Sequence, residues 1–280
     1  MPTYPFSFPS LHRRRLLQTA GLALSAPALS FAFSQSSSQT GPQAAAPATP
    51  TLPPGFPAQP PELIHEMVMV SHFDLKHVQQ LVESRPSLAR AAWDWGFGDW
   101  ESALGAASHM GNRPIAEYLL SRGARPSIFS AAMFGQLEVV KAFITAQPGL
   151  QRTRGPHSIS LLAHAKAGGP AASAVYDYLA SLGDAGSDSP APLTQTDFDA
   201  IVGIYPFGPA ENDRINVTAE KGSVTWTRSA SMGRPLFHHG NRVFNPAGAE
   251  SVRIAFTVEP TGTRMTIHDP DVILSVLRRS

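Results

Sequence analysis

Residues 102–124 read SALGAASHMGNRPIAEYLLSRGA. A helix rich in small residues (Leu104, Ala107) runs into Gly111. A more apolar helix follows (Ile115, Leu119, Leu120) and stops at Gly123-Ala124. The same order returns at Ile128, Ala131, Gly135, Val139, Val140, Phe143 and Ile144. It returns again from Leu161, Ala165 and Gly168 to Tyr178, Leu179 and Gly183. A fainter copy passes through Met69, Phe73, Val78, Leu81 and Val82. One such unit cannot bury its apolar face alone, so internal repetition predicts stacked helix pairs, a helical solenoid of about four repeats.

The unit resembles the ankyrin repeat. Ser102-Ala103-Leu104 stand where that family has T-P-L, Ala107 where it has its first Ala, and Gly111 and Gly123 where it has its two glycines. The likeness spans residues 61–186. It implies that the two residues before each mid-repeat glycine face a concave groove: His109-Met110, Met133-Phe134 and Lys166-Ala167. Such adaptable side chains suit protein or peptide recognition, although Met133 and Phe134 could equally pack on a shortened junction. Inner helices aligned at Glu66, Leu104, Ile128 and Leu161 step by 38, 24 and 33 residues. The short step predicts a missing hairpin finger between the second and third units. The long step carries an aromatic insertion, Trp93-Asp94-Trp95-Gly96-Phe97-Gly98-Asp99-Trp100. Trp93, Trp95, Phe97 and Trp100 either cap the first repeat or anchor a partner.

The segment before the repeats reads as a leader and a tether. Arg13-Arg14-Arg15 precede Leu16-Leu17 and an apolar run to Phe33. That run is interrupted by Gly21 and Pro27, which makes it a poor permanent membrane span. Arg13, Arg14, Leu16 and Leu17 resemble the bacterial twin-arginine export signal, an ordinary secretory signal being the alternative. Residues 1–34 are thus expected to direct the chain to the periplasm or outside the cell. Residues 35–60 are Pro-, Ala- and Ser-rich and read as a disordered linker.

A short linker, residues 187–194, separates the helices from a different pattern. Val252, Ile254, Phe256 and Val258 alternate with polar residues, and similar alternation marks 215–219, 224–228, 265–267 and 272–276. Lys221-Gly222, His239-Gly240 and Thr261-Gly262 supply turns. Residues 195–280 are therefore expected to form an antiparallel meander of seven or eight strands, curling into a half-barrel. Its opening, Ile201-Val202-Gly203-Ile204-Tyr205, resembles the small β domain appended to some bacterial β-lactamase-like hydrolases, a likeness that brings no catalytic residue. Phe207, Trp226, Phe237 and Phe256 could line a ligand cavity or fill the barrel.

Net charge is +1 with only 15% charged residues, so no concentrated basic face for nucleic acid is expected. Cysteine is absent, which excludes disulfides and thiolate metal sites. No phosphate loop or nucleophile elbow occurs. Asp94, Asp99 and Glu101 could pair for acid–base work but lack a companion motif. Ten histidines include His72 with His77, His157 with His164, and His238-His239, the last pair read as a solvated turn. None shows helical ligand spacing, so no metal, cofactor or catalytic residue is expected. The sequence reading is a non-catalytic exported interaction protein for an envelope protein or peptide, with no membrane span after signal cleavage. Its alternative is a small-ligand carrier or enzyme using the β domain or the domain junction.

Overall fold

The structure is a computed structural model that describes residues 55–186, 190–220, 222–228, 233–269 and 272–278. The leader with Arg13, Arg14, Leu16 and Leu17, and most of the 35–60 tether, lie outside the described residues. Among the described residues no helix is long and apolar enough to cross a membrane.

Capping residues set the start of most of the paired helices. α1 (Pro61–Val70) begins on a proline, one turn before Glu66, and α2 (Leu75–Ser84) is capped by Asp74. The aromatic insertion folds back on itself as β1 (Ala92–Asp94) and β2 (Trp100–Ser102). Ser102 Oγ then accepts the Gly105 N–H and opens α3 (Ala103–His109), and Asn112 opens α4 (Arg113–Ser121). Ser127 and Ser130 exchange bonds to open α5 (Ile128–Met133), which α6 (Leu137–Ala146) follows. Ser160 opens α7 (Leu161–Ala167), paired with α8 (Ser173–Ser181). Each such side-chain cap satisfies a backbone N–H that the helix itself cannot, worth about 0.5–2 kcal/mol.

The four pairs stack through their small residues. Ala106, Ala107, Ala131, Ala132 and Ala165 are all buried, with Leu104, Ile115, Leu119, Val140 and Leu179 filling behind them. Residues 122–127 between α4 and α5 contain no strand. Without a finger as spacer, α3, α5 and α7 each pack against the other two. An open repeat row would keep α3 and α7 two helix spacings apart, about 16–20 Å. The close approach shows at Gly111 (φ 67°) and Gly135 (φ 75°), where an added Cβ would overlap the carbonyls of Ala167 and Ala171. Alanine there would meet both a disfavoured φ and a backbone clash.

The second half is a meander. The short helix α9 (Gln195–Ile201), capped by Thr194 with Asp197, leads into eight strands. They are β3 (Gly203–Pro206), β4 (Arg214–Glu220), β5 (Ser223–Arg228), β6 (Arg234–His238), β7 (Val243–Pro246), β8 (Arg253–Glu259), β9 (Gly262–Asp269) and β10 (Val272–Arg278). Each pairs antiparallel with its sequence neighbour. The Arg278 guanidinium reaches the Val202 carbonyl beside β3, so the sheet is nearly closed. The pleat sends Ile215, Val217, Val224, Leu236, Phe244, Ile254, Phe256, Met265 and Ile267 inward. Tyr205 packs on Phe256 at 5.7 Å and Phe256 on Phe244 at 5.6 Å, so aromatic rings fill the interior. Burial pushes the Tyr205 phenol up to about 12, and its hydroxyl donates to the Ile201 carbonyl at 2.7 Å.

Candidate metal centre

The β1–β2 hairpin carries the first part of the site. Strand pairing sets Trp93 opposite Glu101 and Asp94 opposite Trp100. Alternation along β2 turns Trp100 and Ser102 outward and Glu101 inward, where it is fully buried. The hairpin turn is closed by Trp95 N–H to Asp99 C=O at 3.0 Å and by Gly96 N–H to the Asp94 carboxylate at 2.8 Å. Asp99, at the end of that turn, is also buried. His109 is the last residue of α3, His72 follows the end of α1, and His157 lies in a single 3-10 turn (Pro156–Ser158) before α7. The mutual packing of α3, α5 and α7 brings this last loop across to the hairpin.

These residues converge on Glu101. His72, His109 and His157 each offer a ring nitrogen, and together with a Glu101 oxygen all four donor atoms lie within 4.8 Å of one another. His109 Nε2 is 2.9 Å from Glu101 Oε1, while His157 Nε2 and His72 Nε2 are 3.4 and 3.5 Å from Oε2. Trp95 Nε1–H donates to Oε2 at 2.9 Å. Glu101 Oε1 and His109 Nε2 face each other at 2.9 Å, and neither has another hydrogen-bond partner.

The far side of each ring decides its proton. His72 Nδ1 lies 3.0 Å from the Met69 carbonyl and 3.1 Å from the Val68 carbonyl. Carbonyl oxygens only accept, so Nδ1 holds the proton and a neutral His72 turns a bare Nε2 toward the carboxylate. His157 Nδ1 donates to Asp99 Oδ2 at 2.9 Å, which leaves its Nε2 facing Glu101. An imidazole lone pair facing a carboxylate needs a positive charge beside it, either a proton on the ring or a bound ion. Zinc-class ions hold nitrogen and oxygen at about 2.0–2.2 Å, which places neighbouring ligands of a tetrahedron about 3.3–3.5 Å apart. Two of the three nitrogen–oxygen distances already match that edge. The Asp99–His157 pair and the backbone-anchored His72 are the outer partners that orient ligating imidazoles. A nitrogen-rich set of this kind suits first-row transition ions rather than calcium or magnesium.

Charge agrees with that reading. Burial pushes the Glu101 carboxyl up, but His109, His157 and His72 outweigh it and hold its pKa at about 2. Burial pushes His157 down, and the Asp99 and Glu101 carboxylates overcome this and lift it to about 9. In the absence of a metal, a proton on His157 serves as the cation. His164 Nδ1 donates to the Ser160 carbonyl at 2.9 Å, and burial drives its pKa down to about 4. This ring is a neutral wall beside His109, with its Nε2 unpartnered.

The sheet closes the site from the other side. Arg234 on β6 donates to the carbonyls of Trp95 at 2.6 Å and Gly96 at 3.0 Å, with a guanidinium nitrogen 3.5 Å from Asp99 Oδ2. Phe97 reaches into the sheet core beside Trp226, ring centroids 5.8 Å apart. The aromatic insertion is therefore engaged within the chain: Trp93 and Trp95 pack on the first helix pairs, Phe97 on the sheet.

Of the residues read as groove or finger contacts, Trp100 (63% exposed), Met110 (55%) and Lys166 face solvent. Met133 is fully buried and does not face a groove, because it fills the junction that lacks a finger. Phe134 is half-buried beneath Arg113 at 4.8 Å, and His109 turns into the cluster. Histidines close in sequence find separate partners. His77 pairs with Glu66 at 2.9 Å on the surface, and His157 joins Asp99 and Glu101 instead of His164. His238 is no solvated turn: the pleat of β6 buries it, stacked on Phe244, with Nδ1 on the Ala191 carbonyl. Phe256 belongs to the packed sheet interior and Phe207 lies half-buried beneath Arg228. No protein-family model matches the chain, and neither a curated protein nor a solved structure matches it.

Proposed function

We propose that this chain is an exported, non-catalytic binding protein whose ligand is a single divalent transition-metal ion, zinc-class, at the junction of helices and sheet. The observation that carries the reading is the inward set of His72, His109 and His157 nitrogens around Glu101, with Glu101 Oε1 and His109 Nε2 otherwise unpartnered. Four protein donors, three imidazoles and a buried carboxylate, suit a closed, holding site more than one that keeps a position open for substrate. In this reading the helix pairs are an ankyrin-type framework and residues 1–34 carry the chain out of the cytoplasm. A cysteine-free exported protein has no disulfides, and a metal cross-link is the alternative staple.

The test is titration of the metal-stripped full chain with zinc, beside His72→Ala and His109→Ala variants. One ion per chain is expected for the wild type, with affinity lowered at least 100-fold in either variant. Absence of saturable binding in the wild type, or unchanged affinity in both variants, would contradict the proposal.

A second reading, capture of an envelope protein or peptide by the helix surface, draws on the exposure of Trp100 and Met110. Recovery of the same partners by a Trp100→Ala, Met110→Glu double variant would remove it.

A further inference from the structure

We infer that ion binding and docking of the sheet onto the hairpin are one coupled equilibrium, with Asp99 and Arg234 as positioning residues. This rests on the metal reading above and adds its regulation. Asp99 is the pivot. Its Oδ1 accepts the His157 backbone N–H at 2.9 Å and its Oδ2 accepts the His157 Nδ1–H at 2.9 Å, so one carboxylate fixes both ends of that ligand. Asp99 is in turn fixed from the sheet. Arg234 holds the Trp95 and Gly96 carbonyls and lies beside its carboxylate, and the backbone at Gly248 packs so close that a Cβ would overlap it.

The loop bearing His157 depends on the same contacts. His157 and Ser158 both adopt left-handed backbone conformations (φ 58° and 59°) although neither is glycine. Such a pair persists only where its surroundings hold it. Ser158 Oγ accepts the Gly248 N–H at 2.7 Å and donates to Glu250 Oε1 at 2.5 Å, both on the segment that joins β7 to β8. One ligand is thus set by the sheet, while His72 and His109 are set by helices. Whatever factor docking adds to ion affinity, the ion must return to docking. The ion then acts as a latch: with it the sheet covers Phe97 and the hairpin, and without it that seam opens more often.

The experiment uses the full chain as wild type, Arg234→Ala, Arg234→Lys and Glu250→Gln. Zinc affinity is measured by competition with a chromophoric chelator, geometry by the visible spectrum of the cobalt(II) form, and seam opening by hydrogen exchange over residues 244–252 with zinc or with EDTA. Changes to residues that orient a ligand cost about 10–100-fold in metal affinity. Arg234→Ala is expected to bind one zinc with a loss of that size and an altered cobalt spectrum. Arg234→Lys and Glu250→Gln should show smaller losses, and Glu250→Gln tests the seam independently should Arg234→Ala not fold. Zinc should slow exchange at 244–252 in the wild type, and less so in the variants. If the wild type binds zinc but the folded variants bind it as tightly, or if zinc leaves that exchange unchanged, the coupling is refuted while the metal site stands. If the wild type binds no zinc, both fall.

Discussion

His72 Nε2 faces Glu101 Oε2 at 3.5 Å, while its Nδ1 donates to the Met69 carbonyl at 3.0 Å. In the neutral tautomer two electron-rich atoms are held together in a buried site, and they repel unless a cation sits between them. The arrangement makes sense of a carboxylate placed at the centre of three imidazoles.

Replacing Glu101 with Gln keeps its size and removes its charge. The expected result is loss of zinc binding by at least 100-fold with the fold retained in EDTA, checked by circular dichroism beside the titration. Retention of full affinity in Glu101→Gln would remove the carboxylate from the ligand set.

Trp95 reports on the site because its indole N–H is bonded to Glu101. Nickel or copper bound there should quench tryptophan emission saturably. Trp95→Phe should lose most of that quenching, although three tryptophans remain. Equal quenching in the variant would place the ion elsewhere.

Gly248 has φ 75° and no room for a side chain against Asp99. Gly248→Ala is expected to destabilise the chain by about 2 kcal/mol or more, read in urea denaturation, and to weaken zinc binding in the same variant. An unchanged midpoint would show that the seam yields easily.

The metal-free protein should lose stability below neutrality through His164. Its folded pKa of about 4 lies below the unfolded value of 6.5, so its neutral form favours folding. That contribution is complete above about pH 6.5 and is lost as pH falls toward 4, amounting to roughly 3 kcal/mol. The groups facing it are His109 and Glu101. His157, with a folded pKa of about 9, is protonated in both states over most of this window and adds little slope there. His164→Gln should therefore show a flatter fall of melting temperature between pH 6.5 and 5 than the wild type.

Much of the architecture is legible from local pattern. Ser102, Ser127 and Ser160 announce the inner helices, because capping is a local competition that few residue types win. The alternation of Val252 to Val258 announces β8, and the glycine-marked turns announce the meander. The site is less legible because its ligands come from four separate segments: the end of α1, the hairpin, the end of α3 and the loop before α7. Motif spacing detects ligands that share one helix or turn, and these share none. The irregular repeat spacing was the available signal. The 24-residue step from Leu104 to Ile128 leaves no room for a finger. The resulting close packing of α3, α5 and α7 carries His157 to Glu101. The insertion, read as cap or partner anchor, packs Trp93 and Trp95 on the first helix pairs and also supplies Asp99 and Glu101 to the site and Phe97 to the chain's own sheet.

X-ray absorption at the zinc edge of the zinc-loaded full chain reads the ligand set itself. A first shell of about four nitrogen and oxygen neighbours near 2.0–2.1 Å is expected, with the outer-shell scattering of three imidazoles. One imidazole should disappear in His72→Ala. A shell of six oxygens, or a spectrum unchanged by that substitution, would contradict it.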